Sequence, residues 1–217
     1  MTELYGIATG SYVEDRDDWP RAVDRARRER WRFLELTAVF ESLLSTLVAC
    51  LAADDELVEG FERVSLHAPI HAPSPAGLVE VIADLQFDDV IFHPDAWAGE
   101  RALDRLGGRV VFENMDVAKR FGQTPDDLRR VFESHPGAGF CLDVAHVWTN
   151  DPSLRLGHEL LDAFGDRLRQ LHVSGIEPDG THRTTTNADL DLYRPLLDRC
   201  AGVPWILEAV LETRDED

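Results

Sequence analysis

Eight short apolar segments, rich in β-branched residues, recur along the chain at intervals that each suit one helix and two loops. Their ends fall near positions 7, 36, 67, 93, 113, 143, 172 and 208, so the intervals are 29, 31, 26, 20, 30, 29 and 36 residues. This is the size of a strand followed by a crossover helix. The predicted strands are Leu4–Ile7, Arg32–Leu36, Val64–His67, Val90–His93, Val110–Glu113, Phe140–Asp143, Leu168–His172 and Trp205–Glu208. The alternation predicts an α/β fold with a parallel sheet, either closed or open.

Helix starts are signalled in four of the intervals by a capping residue that a proline follows within two positions. These residues are Asp18, Ser74, Thr124 and Asp151. A side chain that caps a helix accepts hydrogen bonds from its first turn, and proline suits that turn because it lacks a donor. We therefore expect a helix to begin at each of the four positions.

The residues at the ends of the predicted strands favour a closed barrel over an open sheet. Seven of the eight segments end in or near a side chain that can bind a metal, and these are Glu35, His67, His93, Glu113, Asp143, His172 and Glu208. In a closed barrel all such ends meet at one mouth, whereas an open sheet spreads them along an edge. We predict a compact (β/α)8 barrel that forms one domain over residues 1–217.

Composition narrows the class of function. The chain carries 22 Lys and Arg against 41 Asp and Glu, a net charge of -19, which disfavours binding to a nucleic-acid backbone. The apolar segment 39–53 is too short to span a bilayer and contains Glu41, so it predicts a buried helix. Three cysteines and the lack of a signal-like N-terminus predict a cytoplasmic protein with reduced thiols. Phosphate-binding loops and nucleophile-elbow motifs are absent.

Two carboxylates are the strongest candidates for a functional role, because each directly follows apolar strand residues. Glu113 and Glu208 are costly to bury without a partner. Asp143 and His146 lie close enough for a turn to bring both into the mouth. For His67 and His93, a packing role in the core is the alternative. The combination of carboxylates and imidazoles suits Zn, Mn, Co or Fe rather than Ca.

Other polar residues have several interpretations. Glu35 is a candidate ligand, substrate contact or arginine partner, and His182 lies in a loop where solvent exposure is the alternative. We interpret the remaining histidines, His71, His135 and His158, as surface residues.

In the order and spacing of these residues the chain resembles the xylose isomerase-like TIM barrels, which include sugar isomerases, sugar epimerases and the apurinic endonuclease family. The matching pieces, over nearly the whole chain, are His67-Ala68-Pro69, His93-Pro94, Glu113-Asn114, Asp143-x-x-His146, His172 and Glu208. The resemblance implies one divalent metal ion held by Glu113, Asp143, His172 and Glu208.

The endonuclease branch of the same family implies further metals. A second ion there would use His67 and His93 together with Glu113. A third would use His146 and an Asp-x-His pair, which this chain matches only in part: His182 is present, but Gly180 stands in place of the aspartate and Asp179 lies one position earlier.

Carbonyl chemistry fits the four-residue set independently of the resemblance. Isomerisation or epimerisation beside a carbonyl needs a metal that bridges two substrate oxygens and two carboxylates that move a proton. Glu113 and Glu208 are the expected catalytic pair, with His146 and Arg183 as substrate contacts. We therefore predict a metal-dependent isomerase or epimerase of a small sugar, sugar phosphate or related keto compound. A phosphodiesterase with several metals and a barrel without this activity are the alternatives.

Overall fold

Eight parallel strands close into a barrel in the computed structural model, which describes residues 4–71, 74–177 and 181–208. The strands are β1 Tyr5–Ala8, β2 Phe33–Thr37, β3 Arg63–His67, β4 Asp89–Phe92, β5 Val110–Glu113, β6 Gly139–Asp143, β7 Leu168–Val173 and β8 Trp205–Leu207. Each pairs with the next along the chain, and β8 closes the ring by pairing Trp205 with Tyr5. The predicted barrel is confirmed, with every strand boundary within one residue of the prediction.

Helices fill the intervals and surround the barrel. They are α1 Trp19–Arg28, α2 Glu41–Ala53, α3 Pro75–Ala83, α4 Pro94–Trp97, α5 Pro125–Ser134, α6 Val144–Asn150, α7 Arg155–Phe164 and α8 Asn187–Leu197. The interval after β4 is the shortest, and there the four-residue α4 is followed by a 3-10 helix at Arg101–Arg109. Within the described residues, no helix has the length and apolar character needed to cross a membrane.

Three of the four predicted helix starts are confirmed. Asp18, Ser74 and Thr124 each precede the first residue of a helix, and Thr124 forms a reciprocal capping box with Asp127. The prediction at Asp151 is wrong. Asp151 instead ends α6, and its carboxylate accepts the backbone N–H of Leu156 at 3.0 Å across the turn to α7.

Two details of the loops and the core were not predicted. After β7 the chain forms a small antiparallel pair, Gly175–Ile176 with His182–Arg183, whose two-residue strands are too short for a periodic signal. The prediction that His135 lies on the surface is wrong. Its ring packs against Phe112 at 5.3 Å between centroids, and its Nε2 donates to the Ala98 carbonyl at 3.0 Å. His71 is exposed and His158 is half-buried.

The interior of the barrel is arranged in layers because successive strand residues alternate between core and outside. The upper layer contains the residues at the strand ends, including His67, Glu113 and His172. Two residues before the strand ends lies the next set of inward-facing side chains, which we call the second layer. Its members are Glu35, Ser65, Ile91, Val111, Cys141, Gln170 and Ile206, all of them buried. This second layer is polar on β2, β3 and β7 and apolar on β4, β5, β6 and β8.

Candidate metal centre and active site

Four side chains converge at the carboxyl ends of the last four strands. Glu113, Asp143, His172 and Glu208 each offer one ligand atom, and these atoms all lie within 4.8 Å of one another. Two ligands of one ion, each about 2.0–2.3 Å from it, are at most about 4.6 Å apart. The cluster therefore has nearly the dimensions of a closed metal site. This convergence is what the sequence predicted, and the ligand role of the four residues stays a prediction.

Glu113 lies at the centre of the cluster, with histidines around both of its oxygens. Oε1 lies 3.0 Å from Nδ1 of His172 and 3.5 Å from Nδ1 of His146. Oε2 lies 3.4 Å from Nε2 of His67 and 3.5 Å from Nε2 of His93. One carboxylate thus connects the four-residue cluster to the two histidines that the sequence assigned to a second ion.

A second candidate group shares two residues with the first. His67, Glu113 and His172 also place ligand atoms within 4.8 Å of one another. The His93 ring packs edge-on against His67 at 5.0 Å between centroids. Both histidines are close to Glu113, as predicted. His93 belongs neither to the four-residue group nor to the three-residue group.

An asparagine that the sequence analysis did not single out as a site residue holds the ends of β5 and β6 together. Asn114 donates from Nδ2 to the Asp143 carbonyl at 3.0 Å and accepts the Asp143 N–H at 2.9 Å. The N–H of His146 donates to Oδ1 of Asp143 at 2.6 Å, and Nδ1 of His146 donates to the Asn114 carbonyl at 2.9 Å. These contacts fix Asp143 and leave Nε2 of His146 for the cavity.

The pKa values of the clustered side chains depend on one another, because the groups are buried close together. Burial raises the pKa of the Glu113 carboxyl, but His172, followed by His67 and His93, outweighs burial and holds this pKa well below its usual range. Burial lowers the pKa of His67, but Glu113 and the other carboxylates outweigh it and raise this pKa to about 9. For Glu208, burial and the neighbouring carboxylates raise the pKa despite His172. His67 therefore keeps its proton near neutral pH in the metal-free protein.

The composition of the cluster fits a divalent cation. Among the described residues, every ion-pair partner of Glu35, Glu113, Asp143 and Glu208 is a histidine, with no Lys or Arg. Oε2 of Glu113 and Oδ2 of Asp143 are buried without a hydrogen-bond partner in the described part of the chain. Buried carboxylates without a fixed counter-charge are costly, and a bound cation removes that cost.

The remaining predicted residues occupy different places. Glu35 is fully buried in the second layer and contacts His172, and within residues 4–71, 74–177 and 181–208 it has no arginine partner. His182 packs edge-on against His146 at 5.6 Å and contacts Oγ of Ser174 at 2.9 Å. Arg183 pairs with Asp189 at 2.7 Å and with Glu177 at 2.9 Å, and it does not line the cavity above the cluster. Asp179 and Gly180 lie outside the described residues.

A cavity of about 400 Å³ opens above the cluster. This volume lies in the range of about 300–1,000 Å³ that is usual for small-molecule sites. Its polar lining includes Glu113 and Glu208, with His67, His93, His146 and His182, whereas Asp143 and His172 lie behind it. Two basic residues, Arg16 and Lys119, also line it. Their positions in long loops gave no sequence signal, so sequence reasoning did not identify them.

The fold is similar to those of several sugar epimerases and isomerases of known structure. The D-allulose 3-epimerase from Methylomonas sp. is 15% identical with a TM-score of 0.60, over 95% of this chain and 84% of that chain. The 3-keto-D-glucoside 4-epimerase from E. coli is 11% identical with a TM-score of 0.58, over 99% and 94%. A sugar phosphate isomerase/epimerase from Parabacteroides distasonis is 13% identical with a TM-score of 0.55, over 100% and 91%.

The sequence matches no family model and no curated protein. The similarity to solved structures confirms the expected fold, because it extends over nearly the full length of the chains. Assignment of an activity rests on the chemistry of the cluster and its cavity.

Proposed function

We propose that the protein is a divalent-metal-dependent isomerase or epimerase of a small sugar, sugar phosphate or related keto compound. The observation that carries the proposal is the convergence of Glu113, Asp143, His172 and Glu208 beneath a cavity of small-molecule size. The similarity to enzymes named as sugar epimerases supports the same choice.

The four residues of the cluster divide into two groups by their access to the cavity. Asp143 and His172 are behind the lining, which suits residues whose role is to hold the ion. Glu113 and Glu208 reach the cavity and can also contact a substrate. A bound divalent ion would polarise the carbonyl and hydroxyl oxygens of the substrate and so acidify the adjacent C–H bond.

Proton transfer is assigned to the two carboxylates that reach the cavity. Glu113 comes from β5 and Glu208 follows β8, three strands apart around the ring, so they approach a small substrate from different sides. One takes the proton from carbon and the other supplies a proton, to the opposite face of the same carbon in an epimerisation or to the adjacent carbon in an isomerisation. His146, which also lines the cavity, is assigned to bind a substrate hydroxyl.

The test is solvent-deuterium uptake into carbon-bound positions of candidate ketoses. The purified protein is first stripped with a chelator and then supplied with Zn²⁺, Mn²⁺ or Co²⁺. Because Arg16 and Lys119 line the cavity, each sugar is offered both free and phosphorylated. Metal-dependent uptake with at least one ketose is expected. If no metal binds to the folded protein, the proposal is wrong.

A phosphodiesterase of the apurinic endonuclease type is the second candidate, and the position of His67 and His93 beside Oε2 of Glu113 favours it. Such chemistry uses clustered metals to activate water and hold the leaving oxygen. The net charge of -19 opposes it, because a DNA enzyme needs a positive surface near its mouth. Metal stoichiometry separates the two: one ion per chain favours the isomerase, and two or three favour the phosphodiesterase. Metal-dependent nicking of abasic DNA without deuterium uptake would establish the second candidate instead.

A further inference from the structure

Glu35 is a fully buried carboxylate that the proposed chemistry does not use. It lies on β2 in the layer beneath the cluster. Its Oε2 lies 2.7 Å from Nε2 of Gln170, 3.0 Å from Oγ of Ser65 and 3.2 Å from Nε2 of His172. A buried carboxylate with three directed polar contacts is held in one orientation, and the one ring among those contacts belongs to a candidate metal ligand.

The strand geometry explains why these groups meet. Glu35 and Ser65 are direct neighbours in the register of β2 and β3. Gln170 and His172 are two residues apart on β7, so both side chains point into the barrel. Glu35 thus reaches across the barrel interior to the underside of the His172 ring, 137 residues away in the chain.

The two ring nitrogens of His172 face opposite environments. Nδ1 points to Glu113 at 3.0 Å and to Glu208 at 3.3 Å, which is the side of the candidate metal site. Nε2 lies 3.2 Å from Oε2 of Glu35 and 2.9 Å from the amide Nε2 of Gln170, which itself donates to the same carboxylate oxygen at 2.7 Å and cannot accept a hydrogen bond. A metal bound at Nδ1 takes the lone pair of that nitrogen, so the ring proton must lie on Nε2. A protonated Nε2 needs an acceptor, and the carboxylate of Glu35 is one.

We propose that Glu35 is the positioning residue of the metal centre: its carboxylate accepts the Nε2–H of His172, fixes the tautomer and orientation of the ring, and strengthens Nδ1 as a metal ligand. Ser65 and Gln170 keep the carboxylate in place. The inference rests on the metal site of the proposed function. Removal of such an outer partner typically weakens metal binding by about 10- to 100-fold.

The experiment measures the affinity of the full chain for Zn²⁺ by competition with a chromophoric chelator. Glu35→Gln keeps the shape of the side chain but removes its charge, and we expect Zn²⁺ binding about 10- to 100-fold weaker than in the wild type. Val111→Ala is the matched control, because it alters the same layer two residues before Glu113 without removing a polar contact. We expect Val111→Ala to bind Zn²⁺ with wild-type affinity.

A measurement on the wild type avoids any dependence on folding of the variant. In protein with 15N-labelled histidine, the Zn²⁺-loaded form should show a His172 ring protonated at Nε2 and not at Nδ1. Through-bond correlations from the backbone to the ring assign the signal in the wild type. Protonation at Nδ1, an unchanged affinity in folded Glu35→Gln, or an equal loss in Val111→Ala would each overturn the role of Glu35. Failure of the wild type to bind any of Zn²⁺, Mn²⁺ and Co²⁺ would instead overturn the proposed function.

Discussion

The two ends of the barrel both bury carboxylates, but they compensate the charge in different ways. At the amino-terminal end, Asp89 is fully buried and lies between the guanidinium groups of Arg63 and Arg169, the latter at 2.8 Å. At the mouth, Glu113 and its neighbours have only histidines as ion-pair partners among the described residues. Arginine keeps its charge at every accessible pH, whereas histidine can lose its charge within the accessible range of pH.

The carboxylate at the amino-terminal end therefore has a fixed counter-charge, whereas the counter-charge of the carboxylates at the mouth can be exchanged. A carboxylate between two arginines already has its charge neutralised, so it does not attract a further cation. The histidines around a carboxylate can release their protons, and a metal ion can then supply the positive charge in their place. We therefore expect substitutions at the two ends to affect different properties, and the following predictions test that separation from the largest effect to the smallest.

The largest effect is expected at the mouth, on catalysis. Glu113→Gln and Glu208→Gln should each reduce deuterium uptake by at least about 10²- to 10⁴-fold, since an amide loses the charge that binds metal and the basicity that moves a proton. The measurement is uptake into the substrate with saturating metal. Glu59→Gln, at an exposed carboxylate, is the control and should be fully active. Full activity of Glu113→Gln would remove this residue from the mechanism.

Metal removal should lower stability through the mouth alone. At free Zn²⁺ about 100 times the dissociation constant, binding adds about 2.7 kcal/mol to the free energy of unfolding. The measurement is urea unfolding with Zn²⁺ or with a chelator. Glu113→Gln should lose most of this gain, and Asp89→Asn should keep it. An equal gain in wild type and Glu113→Gln would mean that the metal binds elsewhere.

The same experiment has a predicted pH dependence. In the metal-free protein the pKa of His67 is raised from 6.5 to about 9, so its favourable contribution to stability is fully present below pH 6.5 and is lost as pH rises through 9. Metal binding at His67 needs the neutral ring. The stabilisation by Zn²⁺ should therefore increase between pH 6.5 and 9, and a decrease over this range would contradict the assignment of His67 as a ligand.

At the opposite end, Asp89→Asn should lower the free energy of unfolding by about 2 kcal/mol, the order expected for loss of hydrogen bonds to charged groups. A larger cost is not expected, because both arginines keep about a third of their side-chain surface in solvent and burial already raises the pKa of Asp89. Urea unfolding of metal-free protein measures the change. A loss of Zn²⁺ affinity in the folded variant would show that the two ends are coupled.

The smallest effect on deuterium uptake is expected for His67→Ala, less than tenfold, because the four-residue cluster does not include His67. The measurement is the same uptake assay, with His93→Ala as a parallel variant. If the protein is instead a phosphodiesterase, both variants should be nearly as inactive as Glu113→Gln in a nicking assay.

The strands and the cluster were predictable because they depend on local signals. The alternation of apolar runs located all eight strands, and a carboxylate such as Glu113 directly after three apolar strand residues has few roles other than a functional one. The error at Asp151 shows the limit of such signals. An aspartate before proline is typical of a helix start, but here the same carboxylate spans the turn between two helices.

Contacts between distant segments were not predictable from one sequence. The alternation on β7 indicates that Gln170 shares a face with His172, but nothing local indicates that Glu35 lies across the barrel from them. His135 was misassigned for the same reason: its partners, Phe112 and the Ala98 carbonyl, are brought to it only by the packing of α5 against the barrel.

The pairing of β8 with β1, which closes the barrel, has a consequence for the order in which the fold assembles. It joins Trp205 to Tyr5, 200 positions apart, so it is the pairing with the greatest loop-closure entropy. The four clustered side chains all come from positions 113 to 208, and Glu208 follows this last strand. A chain that has formed only its first seven strands therefore has an incomplete set of the proposed ligands. High-affinity metal uptake would therefore show that the barrel has closed. A bound ion would also slow the separation of β8 from β1 and β7, because Glu208 after β8 and the other three side chains would hold the same ion.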